Sequence, residues 1–227
     1  MGFFENRRRK AAERERARAE AAHAAAVTTW ETERAAIERM LEVVRDCRNG
    51  RTHEQFEDPS DYGFMLKDGE FAIAHLADAG FIETVRAPTS YSGGYGGVSF
   101  PIFGRVRLNT GRMRGTATRG EESISMTDRG NTLITNRRIM FAGAKRSREW
   151  RFDKMISTSH LPGGITIFAM NTGKPSGIGY GEGPAPEVQF RIELAAAMAL
   201  GALERYENEL VAEQKHHETE RPATTTS

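Results

Sequence analysis

The chain has 227 residues, 28% of them charged and 38% hydrophobic, enough for one domain with extensions or two small domains. Its 32 Lys/Arg and 31 Asp/Glu nearly cancel, so net charge selects no partner, and the single cysteine, Cys47, excludes an internal disulfide framework and a cysteine-based zinc cluster. No apolar run approaches the roughly 20 residues of a spanning helix and no leader-like apolar core is evident, so a reducing cytoplasm is the expected location.

At the start, Met1-Gly2 is similar to a myristoylation signal, but Asn6 stands where Ser or Thr is needed. Phe3 and Phe4 followed by Arg7, Arg8, Arg9 and Lys10 form a modest anchor for an anionic membrane, each basic residue there being worth about 1 kcal/mol. The first half of this arm has no apolar face, which favours a solvated helix over one lying in a membrane. Glu5 to Cys47 contains no Gly or Pro and is rich in Ala, Glu and Arg, so residues 1–48 read as a long helix. Trp30, Ile37, Leu41 and Val44 recur on one face in its second half, a coiled-coil-like stripe suited to pairing with another helix. Thr28 and Glu31 fit a capping box that would begin a separate helix, and one continuous helix fits equally. Asn49-Gly50 is the stop signal.

Residues 49–65 read as a polar linker around Asp58-Pro59-Ser60-Asp61, with Phe56, Tyr62 and Phe64 as aromatic anchors. A β-rich region follows over 66–182. Strands are predicted at 70–76, 81–86, 98–108, 122–126, 132–134, 139–142, 148–152, 155–159 and 165–170, most of them separated by Gly- or Asn-containing breaks. Phe71 to Leu76 would also suit a short helix. Pro184-Ala185-Pro186-Glu187 opens a second helix, predicted over 185–214, with Val188, Ile192, Ala195, Ala199, Ala202, Tyr206 and Leu210 on one apolar face. The polar tail 215–227 reads as disordered. Charge is uneven: 14 Lys/Arg against 5 Asp/Glu from Pro101 to Lys174, but 4 against 8 from Pro184 to Ser227.

The central segment carries Gly130, Leu133, Thr135, Asn136, Arg138 and Phe141. Asn136 tolerates a left-handed backbone and lets Thr135 to Arg138 turn tightly between strands, and Ala142-Gly143-Ala144 reverses the chain again. On the next strand Trp150 and Phe152 share one face while Glu149 and Arg151 share the other. This pattern resembles the bacterial pleckstrin-homology-like (PH-like) and GRAM domains. Their Gly-Glu lead-in strand has two candidates: Gly120-Glu121, at the more natural spacing, and Gly69-Glu70, far upstream. Ile156 stands where the isoleucine of the later strand is expected. The resemblance implies an α+β fold over 66–214, a bent antiparallel barrel or sandwich closed by a C-terminal helix and preceded here by the long N-terminal helix. It also implies a domain that binds lipid headgroups, peptides or protein surfaces.

Arg137, Arg138, Lys145, Arg146, Arg148, Arg151 and Lys154 are the candidate anion or lipid site, on the expectation that adjacent hairpin loops converge there. The rival reading is a solvated face of strands whose other side is core, or a surface neutralised by the acidic C-terminal arm. Arg105, Arg107, Arg112, Arg114 and Arg119 form a second basic set with few interleaved aromatics, which argues against nucleic acid. The Gly-rich run 92–97 precedes a strand and reads as a hairpin loop, and Asn171-Thr172-Gly173-Lys174-Pro175 fails the phosphate-loop pattern. His23, His53, His75, His160, His216 and His217 are scattered, so no metal or other cofactor is expected. Cys47 has no His nearby and reads as a packed helix residue.

The expectation is therefore a non-enzymatic binding or scaffold module acting through protein contacts or self-association. The alternative is a peripheral module on the inner face of the membrane, holding anionic headgroups by its basic hairpin loops. A pocket holding His160 or a buried carboxylate would be the first sign of an enzyme instead.

Overall fold

A computed structural model describes residues 2–52, 63–85, 95–103, 106–113 and 123–223. The chain divides into two compact units, residues 46–206 and a helical unit made of 1–45 with 207–227.

In the helical unit, α1 (Gly2–Arg48) is continuous for 47 residues, about 70 Å at 1.5 Å per residue. No second helix starts at Thr28. The hydroxyls of Thr28, Thr29 and Thr32 donate to the carbonyls of Ala24, Ala25 and Thr28, four residues back, so they bond within the helix. The later helix α3 (Leu203–Thr219) runs antiparallel to α1: Arg45 meets Glu207 at 2.8 Å, Arg34 meets Glu218 at 3.0 Å, and the Trp30 indole donates to the His217 carbonyl at 2.9 Å. Trp30, Ile37, Leu41 and Val44 are all buried. His217 stacks on Trp30 at 5.3 Å, and the guanidiniums of Arg34 and Arg221 lie 5.7 and 5.3 Å from the indole centroid. These contacts order a segment that composition assigned to the disordered tail, and the chain is helical through Thr219. Residues 6–22 of α1 are exposed on every side.

The larger unit opens where α1 stops, with Gly50 at φ +77° and the Arg51 N–H closing on the Asp46 carbonyl. Its strands are β1 (Ala72–Val85), β2 (Tyr95–Phe103), β3 (Val106–Met113), β4 (Ser123–Thr135), β5 (Arg138–Gly143), β6 (Ser147–Arg151), β7 (Met155–Leu161), β8 (Ile165–Met170) and β9 (Ser176–Gly179). The helix α2 (Ala185–Ala199) follows. Strand order among the described residues is β2-β3-β7-β8-β9-β1-β4-β5-β6. The seven strands from β7 to β6 are antiparallel throughout, and the β2–β3 hairpin joins β7 by one parallel pair, Arg107 with Ser157.

Several predicted boundaries move. The two strands expected within 70–86 are one, because a register shift between Leu76 and Ala79, with Asp78 at φ +55°, absorbs the Ala-Asp-Ala-Gly break as a bulge. The segments expected at 122–126 and 132–134 are likewise one strand, β4. There Gly130 lies under the Ala142 carbonyl so closely that a Cβ would stand 2.2 Å from its oxygen. The predicted strand over 98–108 is instead parts of two, β2 and β3. The helix predicted over 185–214 is broken at Gly201, whose φ of +65° accompanies bonds from the Ala202 N–H to the Ala197 carbonyl and from the Gly201 N–H to the Met198 carbonyl. That is a Schellman ending, one that the unbroken apolar periodicity conceals.

Ring contacts show that the sheet folds over its own face. β6 and β8 are five strand steps apart, about 24 Å if flat. Yet Trp150 of β6 lies 5.0 Å from Phe168 of β8, and its indole donates to Ser176 Oγ of β9 at 3.1 Å. Only strong curvature brings them together. Trp150, Phe168, Phe81 and Phe141 form the centre of the core, with Phe81 5.1 Å from Phe141 and 5.8 Å from Trp150. The helix α2 packs on β1, β4 and the short 3-10 turn Phe152–Lys154, burying Val188, Ile192 and Ala195. On the other face of β1, β4 and β5, Phe64 and Leu66 cover Ala72, Leu133 and Met140, so Leu133 and Ile134 are both fully buried although their side chains point opposite ways.

Candidate functional site

The Thr-Asn-x-Arg turn between β4 and β5 is bolted to a second turn just before β1. Lys67 to Glu70 closes with the Glu70 N–H on the Lys67 carbonyl, and Gly69 sits at φ +69°. Asn136 holds the two turns together in three bonds. Its backbone N–H donates to the Phe71 carbonyl at 3.2 Å, its side-chain amide donates to the Gly69 carbonyl at 3.1 Å, and its Oδ1 accepts the Phe71 N–H at 3.1 Å.

Beneath them lies a buried ion pair. Arg138 Nε donates to Glu70 Oε1 at 2.8 Å, and its terminal nitrogens reach Glu70 Oε2 at 2.9 Å, Glu149 at 2.6 Å and the Met65 carbonyl at 2.9 Å. Thr135 Oγ1 donates to Glu70 Oε1 at 2.8 Å, and the Lys67 N–H donates to Oε2 at 2.9 Å. Burial pushes the Glu70 carboxyl up, but the bonds from Arg138, Lys67 and Thr135 and the Arg138 charge outweigh it and hold the carboxyl below the ordinary glutamate value. Of the two Gly-Glu pairs in the sequence, Gly69-Glu70 is the one that the described residues place beside this turn. The better-spaced Gly120-Glu121 lies outside the described residues, as do Phe56, Tyr62, residues 92–94, Arg105, Arg114 and Arg119. A hairpin over 95–113 intervenes between β1 and β4, which is why Glu70 and Arg138 meet across 68 residues of sequence.

The seven candidate cations do not converge. In an antiparallel meander the turns 135–138 and 143–147 lie at opposite ends of β5, about 17 Å apart over five residue steps. At one end are Arg137, Arg138 and Arg151, with Lys154 just beyond. Arg138 is consumed by Glu70 and Glu149, and Arg151 is held by Asp153 at 2.9 and 2.6 Å. At the other end are Lys145 and Arg146. There the Asp128 carboxylate already occupies the loop: Oδ2 accepts the N–H groups of Lys145 and Arg146, both at 2.7 Å, and Oδ1 accepts that of Arg129 at 2.9 Å. Desolvation raises its carboxyl, but these three N–H donors together with the Lys145 charge outweigh it and hold the group below the ordinary aspartate value. Arg146 also meets Glu83 at 3.2 Å. Arg148 points to neither group, and its guanidinium runs alongside Gly173.

The first end opens as a cleft of about 360 Å³ lined by Lys67, Glu70, Asn136, Arg137, Arg138, Arg151, Asp153, Met198 and Ala199. Among the described residues, Lys67 and Arg137 have no carboxylate partner. A terminal nitrogen of Arg137 lies over Gly69, 3.2 Å from where a Cβ would stand, so the absent side chain of Gly69 makes room for it. Lys67 carries no motif and was invisible in the sequence; only its distance from a turn glycine could have hinted at it.

A second polar network is enclosed in the same unit. Glu193 of α2 accepts the Tyr206 hydroxyl at 2.9 Å, and His160 Nε2 of β7 stands 3.5 Å from its other oxygen. His160 Nδ1 is 2.8 Å from Thr166 Oγ1, which is 2.7 Å from the Tyr180 hydroxyl. Burial pushes the Tyr180 phenol up despite its bonds to Thr166 and Gln189. Thr166 is fully buried, so the network reads as a polar joint between sheet and helices. Its members are scattered from 160 to 206, and no local spacing marks them.

Cys47 is buried, and burial pushes its thiol up to about 11 against the charge of Arg191, the opposite of an activated nucleophile. Among the described residues no cluster of His, Cys, Asp or Glu could hold a metal ion, and no helix is long and apolar enough to cross a membrane. Comparison of the chain with family models, with curated proteins and with solved structures returned no match.

Proposed function

We propose that the chain is a non-enzymatic, PH-like binding module of the cytoplasm that acts through contacts with another protein. The observation that carries the reading is the connectivity of the larger unit. A four-strand meander (β1, β4, β5, β6) is followed by a three-strand meander (β7, β8, β9), β9 returns to pair with β1, and a helix follows. The Glu70–Arg138 pair under the Thr-Asn-x-Arg turn adds local support. A fold of this kind is a guide to function by analogy, so the surfaces must supply the rest.

The apolar stripe Trp30/Ile37/Leu41/Val44 is already buried, so it is not the contact surface. The exposed stretch 6–22 is available: a helix that is polar all round is stable when something outside it contributes. The lipid reading draws less support, because Asp128 occupies the very N–H groups of the β5–β6 loop that would face a headgroup. Cross-linking of the full chain in cells, read by mass spectrometry, tests the proposal. Cross-links from Lys10 or Lys67 to one recurrent protein are expected. Their absence, together with salt-sensitive co-sedimentation on anionic vesicles, would replace this reading with the membrane one.

A further inference from the structure

We infer that the cleft beside Asn136 receives an acidic side chain of a partner peptide; the inference rests on the protein-contact reading above. The two turns that form the rim are locked together by Asn136, so Lys67 and Arg137 are presented on one edge by backbone that is already ordered. Pre-ordering of this kind lowers the cost of binding. The floor is the Glu70–Arg138 pair, whose charges are satisfied internally, which leaves Lys67 and Arg137 as the cations in the lining without a carboxylate partner among the described residues.

Charge and shape select a carboxylate over a phosphate. Two carboxylates, Glu70 and Asp153, belong to the lining, and the C-terminal end of α2, the negative end of its dipole, supplies Met198 and Ala199 to the rim. Glu70 is neutralised by Arg138 and Asp153 by Arg151, so the choice rests on the helix terminus, whose negative end opposes a dianion more than the single charge that Lys67 and Arg137 balance. Asp153, held from one side by Arg151, keeps acceptor capacity for a peptide N–H, and Met198 offers an apolar wall to the methylenes of a glutamate. The volume of about 360 Å³ is near the lower limit of ligand pockets and suits one or two side chains. At its other end the same unit seats a carboxylate by backbone N–H groups instead, where Asp128 fills the β5–β6 loop.

Titration of the full chain with a short capped peptide alternating alanine and glutamate tests the inference. Its glutamine counterpart, inorganic phosphate and the variants Lys67→Ala, Arg137→Ala and Lys145→Ala serve as comparisons. Both cleft variants are expected to weaken the glutamate peptide about tenfold, and Lys145→Ala to leave it unchanged. Equal binding of the glutamine peptide, equal weakening by Lys145→Ala, or tighter binding of phosphate than of the glutamate peptide would overturn it. If the cellular cross-links persist in Lys67→Ala and Arg137→Ala while the peptide fails to bind, the cleft inference falls and the module reading stands.

Discussion

The two ends of the β5–β6 hairpin are both basic in sequence, and they have opposite states in the fold. At the Lys145 end an aspartate of β4 lies in the loop and takes its N–H groups, and Glu83 meets Arg146. At the Asn136 end one arginine is drawn inside to neutralise a buried glutamate, and the two turns that this pair joins hold a second arginine and a lysine out toward a cleft. The difference teaches that counting basic residues does not find an anion site. What matters is whether a carboxylate of the same chain reaches them first.

The largest expected effect comes from breaking the buried pair. Glu70→Gln leaves Arg138 charged and only partly compensated by Glu149, and should cost about 3 to 5 kcal/mol in denaturant unfolding. The pair also sets an acid limit. Because the folded Glu70 carboxyl titrates below its unfolded value near 4.3, its contribution is complete above that pH and is lost as pH falls through the lower folded value. Acid unfolding of the wild type should show this limb, and Glu70→Gln should lack it. Asn136→Ala removes both side-chain bonds between the turns and should cost about 1 to 3 kcal/mol. It should also weaken peptide binding at the cleft without altering the Lys145 end.

Asp128→Asn should lower stability less than either. Its sharper consequence is chemical: the loop N–H groups lose their carboxylate, and inorganic phosphate should perturb the amide signals of Lys145 and Arg146 in the variant but not in the wild type. If the wild type responds equally, the loop is open and the contrast between the two ends dissolves. The smallest effects belong to Lys67→Ala and Arg137→Ala, whose exposed side chains lack carboxylate partners among the described residues; thermal unfolding should shift by no more than about 0.5 kcal/mol.

Much of this architecture was legible because local chemistry and tertiary packing agree. The turn at Thr135 to Arg138, the strands β5, β7 and β8, and the long α1 follow directly from turn residues, alternation and helix formers. The departures have physical causes. Bulges at Asp78 and close backbone packing at Gly130 let single strands pass through residues that usually end them. β9, only four residues long and half glycine, carries no pattern of its own and exists because β1 and β8 flank it. Gly201 ends α2 inside an apolar period that continues past it. At the candidate site, Arg138 was recognisable by motif, but its burial was not, since its partner Glu70 lies 68 residues earlier. Lys67 became meaningful only when Asn136 brought its turn alongside.

The contrast between the two ends is tested most directly by amide chemical-shift mapping of the full-length wild type during titration with the alanine–glutamate peptide. Shifts are expected at Lys67, Asn136, Arg137 and Asp153, with Lys145, Arg146 and Arg129 unmoved. Shifts concentrated at Lys145 and Arg146, with the Asn136 end silent, would contradict it.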